Sequence, residues 1–216
     1  MPRPRASRAL ENQARRFGFV HVAGVDEVGR GCLAGPVAAG AVILDPDHYV
    51  PGIADSKALT ARDRERLFAE ITAAAVAWQV ALVEPAEIDR INIHQASFAA
   101  MRLALAGLST QPGFVLVDGF RIPHLLVPQR AVVGGDRRST AIAAASILAK
   151  VTRDRVMVEL HTRDPRYGFD RHKGYATAEH LAAMARHGYS AAHRRTFRPP
   201  SLFDTIDAQL DSGGAH

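Results

Sequence analysis

The chain has 216 residues, 47% hydrophobic and 23% charged, which suits one globular domain, or one with a small appendage, and excludes a disordered chain, a collagen or a coiled coil. Its longest apolar runs, Val37–Leu44 and Ala141–Ala149 with Ser146 interrupting the second, fall short of the roughly 18 residues a membrane span needs. The net charge is +5, and the one cysteine, Cys32, excludes an internal disulfide or a cysteine-based zinc site and fits a reducing, cytoplasmic setting.

The charge is unevenly spread. Residues 1–20 carry five arginines against one glutamate, and residues 21–136 nine basic against thirteen acidic side chains. Residues 137–198 carry thirteen basic against five acidic, with five of the ten histidines. A basic stripe is the footprint of a polyanionic partner, but genomic base composition also enriches arginine, and charge alone leaves the two readings even.

Residues 1–20 read as a basic leader; without an apolar core they are not a secretory signal. Val20–Asp26 reads as a strand ending at a glycine turn, and Pro36–Leu44 as a second strand closed by Asp45-Pro46-Asp47. Ala58–Ala77 has helical periodicity through Leu59, Leu67, Phe68 and Ile71. A strand at Trp78–Val83, a helix at Asn92–Leu108 and a short buried strand at Phe114–Val117 follow. Leu125–Val133 holds strand-like pieces around Pro128, and Thr140–Leu160 is the longest helical stretch. Beyond Pro165 the chain turns polar and basic, with one more helix near Ala178–His187. This order predicts an α/β layer fold: a mixed central sheet flanked by helices, with a basic C-terminal helical extension. The expected organisation is a leader over 1–20, a domain over 21–198 whose α/β core runs to about 164, and a tail over 199–216 with its last residues frayed.

Four acids carry the chemistry. Asp26 and Glu27 end the first strand, ahead of Gly29-Arg30-Gly31 and Gly35-Pro36. Adjacent carboxylates in a regular strand face opposite ways, so the pair is expected to share a site through a bend that the glycines supply. Such a pair invites a hard divalent cation. Gly29-x-Gly31-x-x-Ala34 also matches a dinucleotide-binding pattern, but two preceding carboxylates would repel a pyrophosphate, and a strand follows where a helix is required. Asp118 tops the strand Phe114–Val117 before Gly119, and Asp136 follows Gly134-Gly135 ahead of the long helix. Taken singly, Asp118 reads as a turn residue and Asp136 as a helix-start residue. Together with Asp26 and Glu27 they form a ligand set for two-metal phosphoryl transfer.

The string Asp26-Glu27-Val28-Gly29-Arg30-Gly31 with Gly35-Pro36, then Asp55-Ser56-Lys57-Ala58-Leu59, Val117-Asp118-Gly119 and Gly135-Asp136, resembles the type 2 ribonuclease H (ribonuclease HII) family. Ile142-Ala143-Ala144-Ala145-Ser146-Ile147, Ala149-Lys150-Val151, Arg153-Asp154, His172-Lys173-Gly174-Tyr175 and His193-Arg194-Arg195 continue the resemblance in the family's order, over about residues 21–198.

The resemblance implies a ribonuclease H-like fold. It implies an endoribonuclease that hydrolyses the RNA strand of RNA–DNA hybrids. Such an enzyme also nicks duplex DNA 5′ to an embedded ribonucleotide, leaving 3′-hydroxyl and 5′-phosphate ends with Mg2+ or Mn2+ as cofactor. The family's four carboxylates fall on Asp26, Glu27, Asp118 and Asp136. Its reader of the 2′-hydroxyl, the group that separates RNA from DNA, falls on Gly29, Arg30, Gly31 and Tyr175; Tyr175 is otherwise a buried-ring candidate. Ser56, Lys57, Lys150 and the cations of 171–198 are candidates for phosphate contact, with Lys150 equally an ion-pair partner for one of the acids. His172 and His193 are expected to orient loops or touch phosphate, and Cys32 to be a small residue of the active loop. A monomer without a membrane partner is expected. The competing readings are a DNA junction or end nuclease of the same superfold, which has no use for a 2′-hydroxyl reader, and a non-catalytic nucleic-acid-binding module.

Overall fold

The computed structural model describes residues 6–54, 56 and 59–197. Five strands form one mixed sheet: β1 (Val22–Val28), β2 (Val37–Leu44), β3 (Ala75–Val83), β4 (Phe114–Asp118) and β5 (Gln129–Val132), in the order β3-β2-β1-β4-β5. β1–β2 and β2–β3 are antiparallel, β1–β4 and β4–β5 parallel. The expected mixed sheet flanked by helices is therefore present.

Alternation along the strands divides the core. Ala23 and Val25 of β1, Ala39 and Ala41 of β2 and Val117 of β4 pack on one face against Phe98, Met101 and Leu105 of α4 (Ile93–Ala106). The other face receives the long α5 (Thr140–Arg163), with α2 (Ala61–Ala74) contributing Leu67 and Ile71. The run of small residues in α5 lets its backbone lie on the sheet. A Cβ on Gly24 would stand 2.1 Å from the Ala141 carbonyl carbon, and one on Gly40 2.3 Å from the Ala145 carbonyl oxygen.

Several boundaries differ from the sequence reading. α2 starts after Thr60, whose hydroxyl accepts from Asp63 N at 3.1 Å, and stops at Ala74, so β3 begins at Ala75 rather than at Trp78. An unanticipated short helix, α3 (Pro85–Ile91), precedes Asn92, which caps α4 by accepting from His94 N and Gln95 N. The strand-like stretch after Leu125 pairs only from Gln129, and α5 continues to Arg163. The leader holds a helix as well, α1 (Ala9–Arg16), with Leu10 and Ala14 packed against Val22, Leu116 and Ile142. Its single turn-and-a-half of apolar spacing, submerged among arginines, hid it in the sequence.

The C-terminal helical part is α6 (Phe169–His172) and α7 (Ala178–His187). It docks through Tyr167 and Phe169 onto Ala34 and Met157, beside the glycine loop that follows β1.

Candidate active site

The site grows from the parallel pair β1–β4. Val25 is the last β1 residue in register with β4, opposite Val117. Asp26 and Asp118 are the next residues on each strand, at the open C-terminal edge of the pair. Both share the parity of Gly24 and Leu116, which face α5. Asp26 is buried, accepts from the Glu27 backbone N–H at 2.7 Å and hydrogen-bonds to the Ser146 side chain of α5.

β1 does not end at Asp26. It runs on to Val28, with Glu27 opposite Ala39 and Val28 opposite Ala38 of β2. The expected bend between the two carboxylates is therefore absent. They reach one cavity because β4 stops at Asp118 and leaves that edge of β1 uncovered. Glu27 turns to Arg30 in a 2.9 Å ion pair.

Asp118 Oδ1 accepts from the Gly135 backbone N–H at 2.6 Å. Gly135 has no room for a side chain, since a Cβ would stand 2.5 Å from Ile142 Cδ1. The next residue, Asp136, is buried in a single 3-10 turn, Gly135–Arg137, entered through Gly134 in a left-handed conformation (φ 61°). One cavity of about 380 Å³ is lined by Asp26, Glu27, Asp118 and Asp136 together with Gly29, Arg30, Ser56, Ser146, Lys150 and Tyr175. A larger open groove of about 450 Å³ between α2 and α5, lined among others by Arg64, Asp154, Arg155 and Lys173, carries none of the four acids.

Burial, then the charges of Glu27 and Asp118, push the Asp26 carboxyl well above the usual carboxylate range; the Ser146 and Glu27 hydrogen bonds pull the other way. Among the described residues no three acid, histidine or cysteine side chains form a ready-made cation cage. Each acid has a local partner: the Glu27 N–H for Asp26, Arg30 for Glu27, the Gly135 N–H for Asp118, and Arg137 Nε 3.9 Å from Asp136. The donor set is all carboxylate oxygen. That suits a hard divalent cation such as magnesium, which keeps several waters and needs few protein ligands.

The other residues that the sequence singles out divide. Ser56 is buried, with its hydroxyl 3.0 Å from that of Ser146; Lys57 lies outside the described residues. Lys150 lines the cavity but pairs with Asp154 at 2.8 Å, not with one of the four acids. Tyr175 is not a core residue: it is 44% exposed and the phenol hydrogen-bonds to Cys32, itself buried. Gly29 adopts φ 87°, and a Cβ there would meet Arg153 Nε at 2.2 Å, whereas a Cβ on Gly31 would meet nothing within 4 Å.

Arg194, one of the cations expected at phosphate, is fully buried and donates to the carbonyls of Gly29, Arg30 and Gly35. Arg153 likewise holds the carbonyls of Ala34, Pro36 and Lys173. Sequence reasoning missed both as loop supports, and missed Ser146; the one signal was a lone serine inside an otherwise apolar run. His172 orients a loop as expected, 2.8 Å from the Tyr167 carbonyl. His193 does so through His180, at 3.1 Å between their Nε2 atoms, and His180 Nδ1 reaches the Tyr175 carbonyl at 2.9 Å.

The sequence profile of ribonuclease HII matches residues 23–199, a span that holds all four acids and both buried arginines. The chain belongs to the ribonuclease HII family. Ribonuclease HII of Xanthomonas axonopodis pv. citri is 55% identical over 183 residues, covering 84% of this chain and 75% of that protein. Ribonuclease HII of Desulfitobacterium hafniense is 50% identical over 201 residues, covering 93% and 75%. Ribonuclease H2 from Pyrococcus horikoshii OT3 superposes with a TM-score of 0.71 at 27% identity, over 89% of this chain and 99% of that one. The PCNA:RNase HII complex from Archaeoglobus fulgidus gives 0.68 at 26% identity, over 86% and 100%. The chain is thus an endoribonuclease with a ribonuclease H fold. Among the described residues no helix is long and apolar enough to cross a membrane.

Proposed function

We propose that this chain hydrolyses the RNA strand of RNA–DNA hybrids and nicks duplex DNA on the 5′ side of an embedded ribonucleotide, using Asp26, Glu27, Asp118 and Asp136 as its catalytic carboxylates. The observation that carries the reading is their meeting in one cavity with Gly29, Arg30 and Tyr175. Divalent cations bound there would neutralise the scissile phosphate and polarise an attacking water for in-line displacement.

The chain's own residues do the rest. Asp26 and Asp118, at the open ends of paired strands, and Asp136, on the turn tied to Asp118 through Gly135, would hold magnesium or manganese. Glu27 faces the same space with Arg30 beside it. Gly31 is a glycine the fold does not demand, since a side chain there would enter open space. Its missing Cβ would let a sugar approach the backbone, where a 2′-hydroxyl can be read. The exposed Tyr175 ring, tethered through Cys32, supplies a platform for that sugar. Ser56 and Lys150 line the route of the phosphate backbone, with Lys57 next to Ser56 in sequence. The chain acts in the cytoplasm as a monomer on RNA–DNA hybrid and ribonucleotide-containing duplex.

A DNA-only nuclease is the weaker reading, because neither Gly31 nor Tyr175 would have a task. The experiment compares otherwise identical duplexes carrying zero, one and four ribonucleotides, with magnesium. Cleavage of the second and third with 3′-hydroxyl products supports the reading, and equal cleavage of all three overturns it.

A further inference from the structure

Helix α1 precedes the stretch matched by the family profile, and no candidate site residue lies in it. Yet Glu11 is only 1% exposed, and its Oε1 accepts from both Ser139 Oγ and Ala141 N at 2.7 Å. Ser139 is the N-cap of α5, its Oγ accepting in turn from Ile142 N at 3.1 Å. The first N–H groups of a helix have no partner within it, and here a carboxylate from α1 takes one and fixes the hydroxyl that takes another. Beside it, Ser7 donates its N–H to Arg138 O at 3.5 Å and accepts from Thr140 N at 3.2 Å.

Asp136 stands between two anchors. Upstream, Gly135 N–H is held by Asp118. Downstream, Gly135 O accepts from Arg138 N at 2.9 Å and Ser139 N at 2.8 Å, and Ser139 is held by Glu11. The turn that carries Asp136 is thus clamped on one side by the active-site strand and on the other by α1.

We propose that Glu11 is a positioning residue for Asp136, setting the turn so that the Asp136 carboxylate meets a bound divalent cation together with Asp118. This rests on the reading of Asp136 as a catalytic carboxylate.

The test uses the full chain and the variants Glu11→Ala, Glu11→Gln, Glu11→Asp and Asp136→Asn. The readouts are kcat and KM on a duplex with one ribonucleotide, corrected for folded fraction, and magnesium affinity by calorimetry without substrate. Supporting groups behind metal ligands are worth about 10–100-fold, so Glu11→Ala should lower kcat by that factor and weaken magnesium binding. KM should stay within about twofold, as for an interaction made in the transition state. Glu11→Gln, which keeps an oxygen acceptor at the same reach, should restore most of both. Unchanged kcat and magnesium affinity in folded Glu11→Ala would make Glu11 merely structural and overturn the proposal. Should Glu11→Ala not fold, Glu11→Asp, one methylene too short to serve both donors, takes its place, and wild-type kcat and affinity there overturn the proposal. An active Asp136→Asn overturns the reading of Asp136 and this inference together. An inactive Asp136→Asn beside a normal Glu11→Ala overturns this inference alone.

Discussion

Arg194 Nη2 donates to the Gly29 carbonyl at 2.7 Å, joining the end of the C-terminal helical part to the loop that follows β1. The same guanidinium serves Arg30 O and Gly35 O, and burial lowers its pKa to about 10. A basic residue in a basic segment is here an internal brace, and the rest of the helical part holds the loop with it.

Lysine cannot replace that brace, because a point charge lacks the planar fork that spans three carbonyls. Arg194→Lys should lower stability by about 3 kcal/mol, since buried acceptors left unsatisfied cost about 1–3 kcal/mol each. Urea unfolding measures it; a midpoint equal to wild type would show that the carbonyls find other donors.

The two glycines that flank Arg30 should part company on substitution. Gly29→Ala forces φ 87° on a residue with a Cβ and drives that Cβ into Arg153; a cost of about 1–3 kcal/mol is expected. Gly31→Ala enters open space and should leave stability within about 0.5 kcal/mol. It should nevertheless cut single-ribonucleotide cleavage by about tenfold or more, as displacement of a substrate by a fraction of an ångström does. Melting curves and nicking rates for both variants check this, and full activity in Gly31→Ala would remove that backbone from the recognition site.

The histidine relay carries a pH dependence. Ser190 N–H donates to His193 Nδ1 at 3.0 Å, so the His193 proton sits on Nε2 facing His180, whose own proton is left for the Tyr175 carbonyl. Both rings are held neutral, and burial, then the neighbouring His180, lowers the pKa of His193 to about 4. An unfolded histidine titrates near 6.5. Between about 6.5 and 4 the unfolded chain therefore binds a proton that the folded chain refuses, and stability present above pH 6.5 is lost as pH falls through that window. Unfolding midpoints at pH 7.5, 6 and 5 should decline, and His193→Gln, less stable throughout, should show a shallower decline. Parallel curves would place the titrating group elsewhere.

Asp26 resists ionisation because of burial and of Glu27 and Asp118. Removing its charge should relieve that strain: Asp26→Asn is expected to melt at or above the wild-type temperature in chelator while losing nicking activity. A large drop in melting temperature would instead make Asp26 a structural carboxylate.

Much of this was readable from residues alone. Carboxylates beside glycine at element boundaries mark Asp26, Glu27, Asp118 and Asp136, and the small residues of Ala141–Ala149 announce a helix lying on a sheet. What escaped was non-local. The convergence of Asp26 and Glu27 depends on where β4 stops, which no feature of β1 records. Glu11 reads as one acid among arginines until α5 is seen to start against it. Arg194 looks like a phosphate contact because charge patterning registers a cation but not the carbonyls that a fold brings around it, and Arg153 carries no mark in the sequence of the same bracing role. Tyr175 went the other way: its exposure comes from a turn held by His172 and His180, invisible at the level of its own neighbours.

The most direct test of the account is Asp118→Asn assayed on a duplex with one embedded ribonucleotide, with melting temperature measured on the same sample. Asparagine keeps an oxygen that can accept from Gly135 N–H, so the fold should survive with its melting temperature intact, while nicking with magnesium or manganese should be abolished. Near-native nicking by Asp118→Asn would contradict the account, because the cavity where the four carboxylates meet would then not be the site of cleavage.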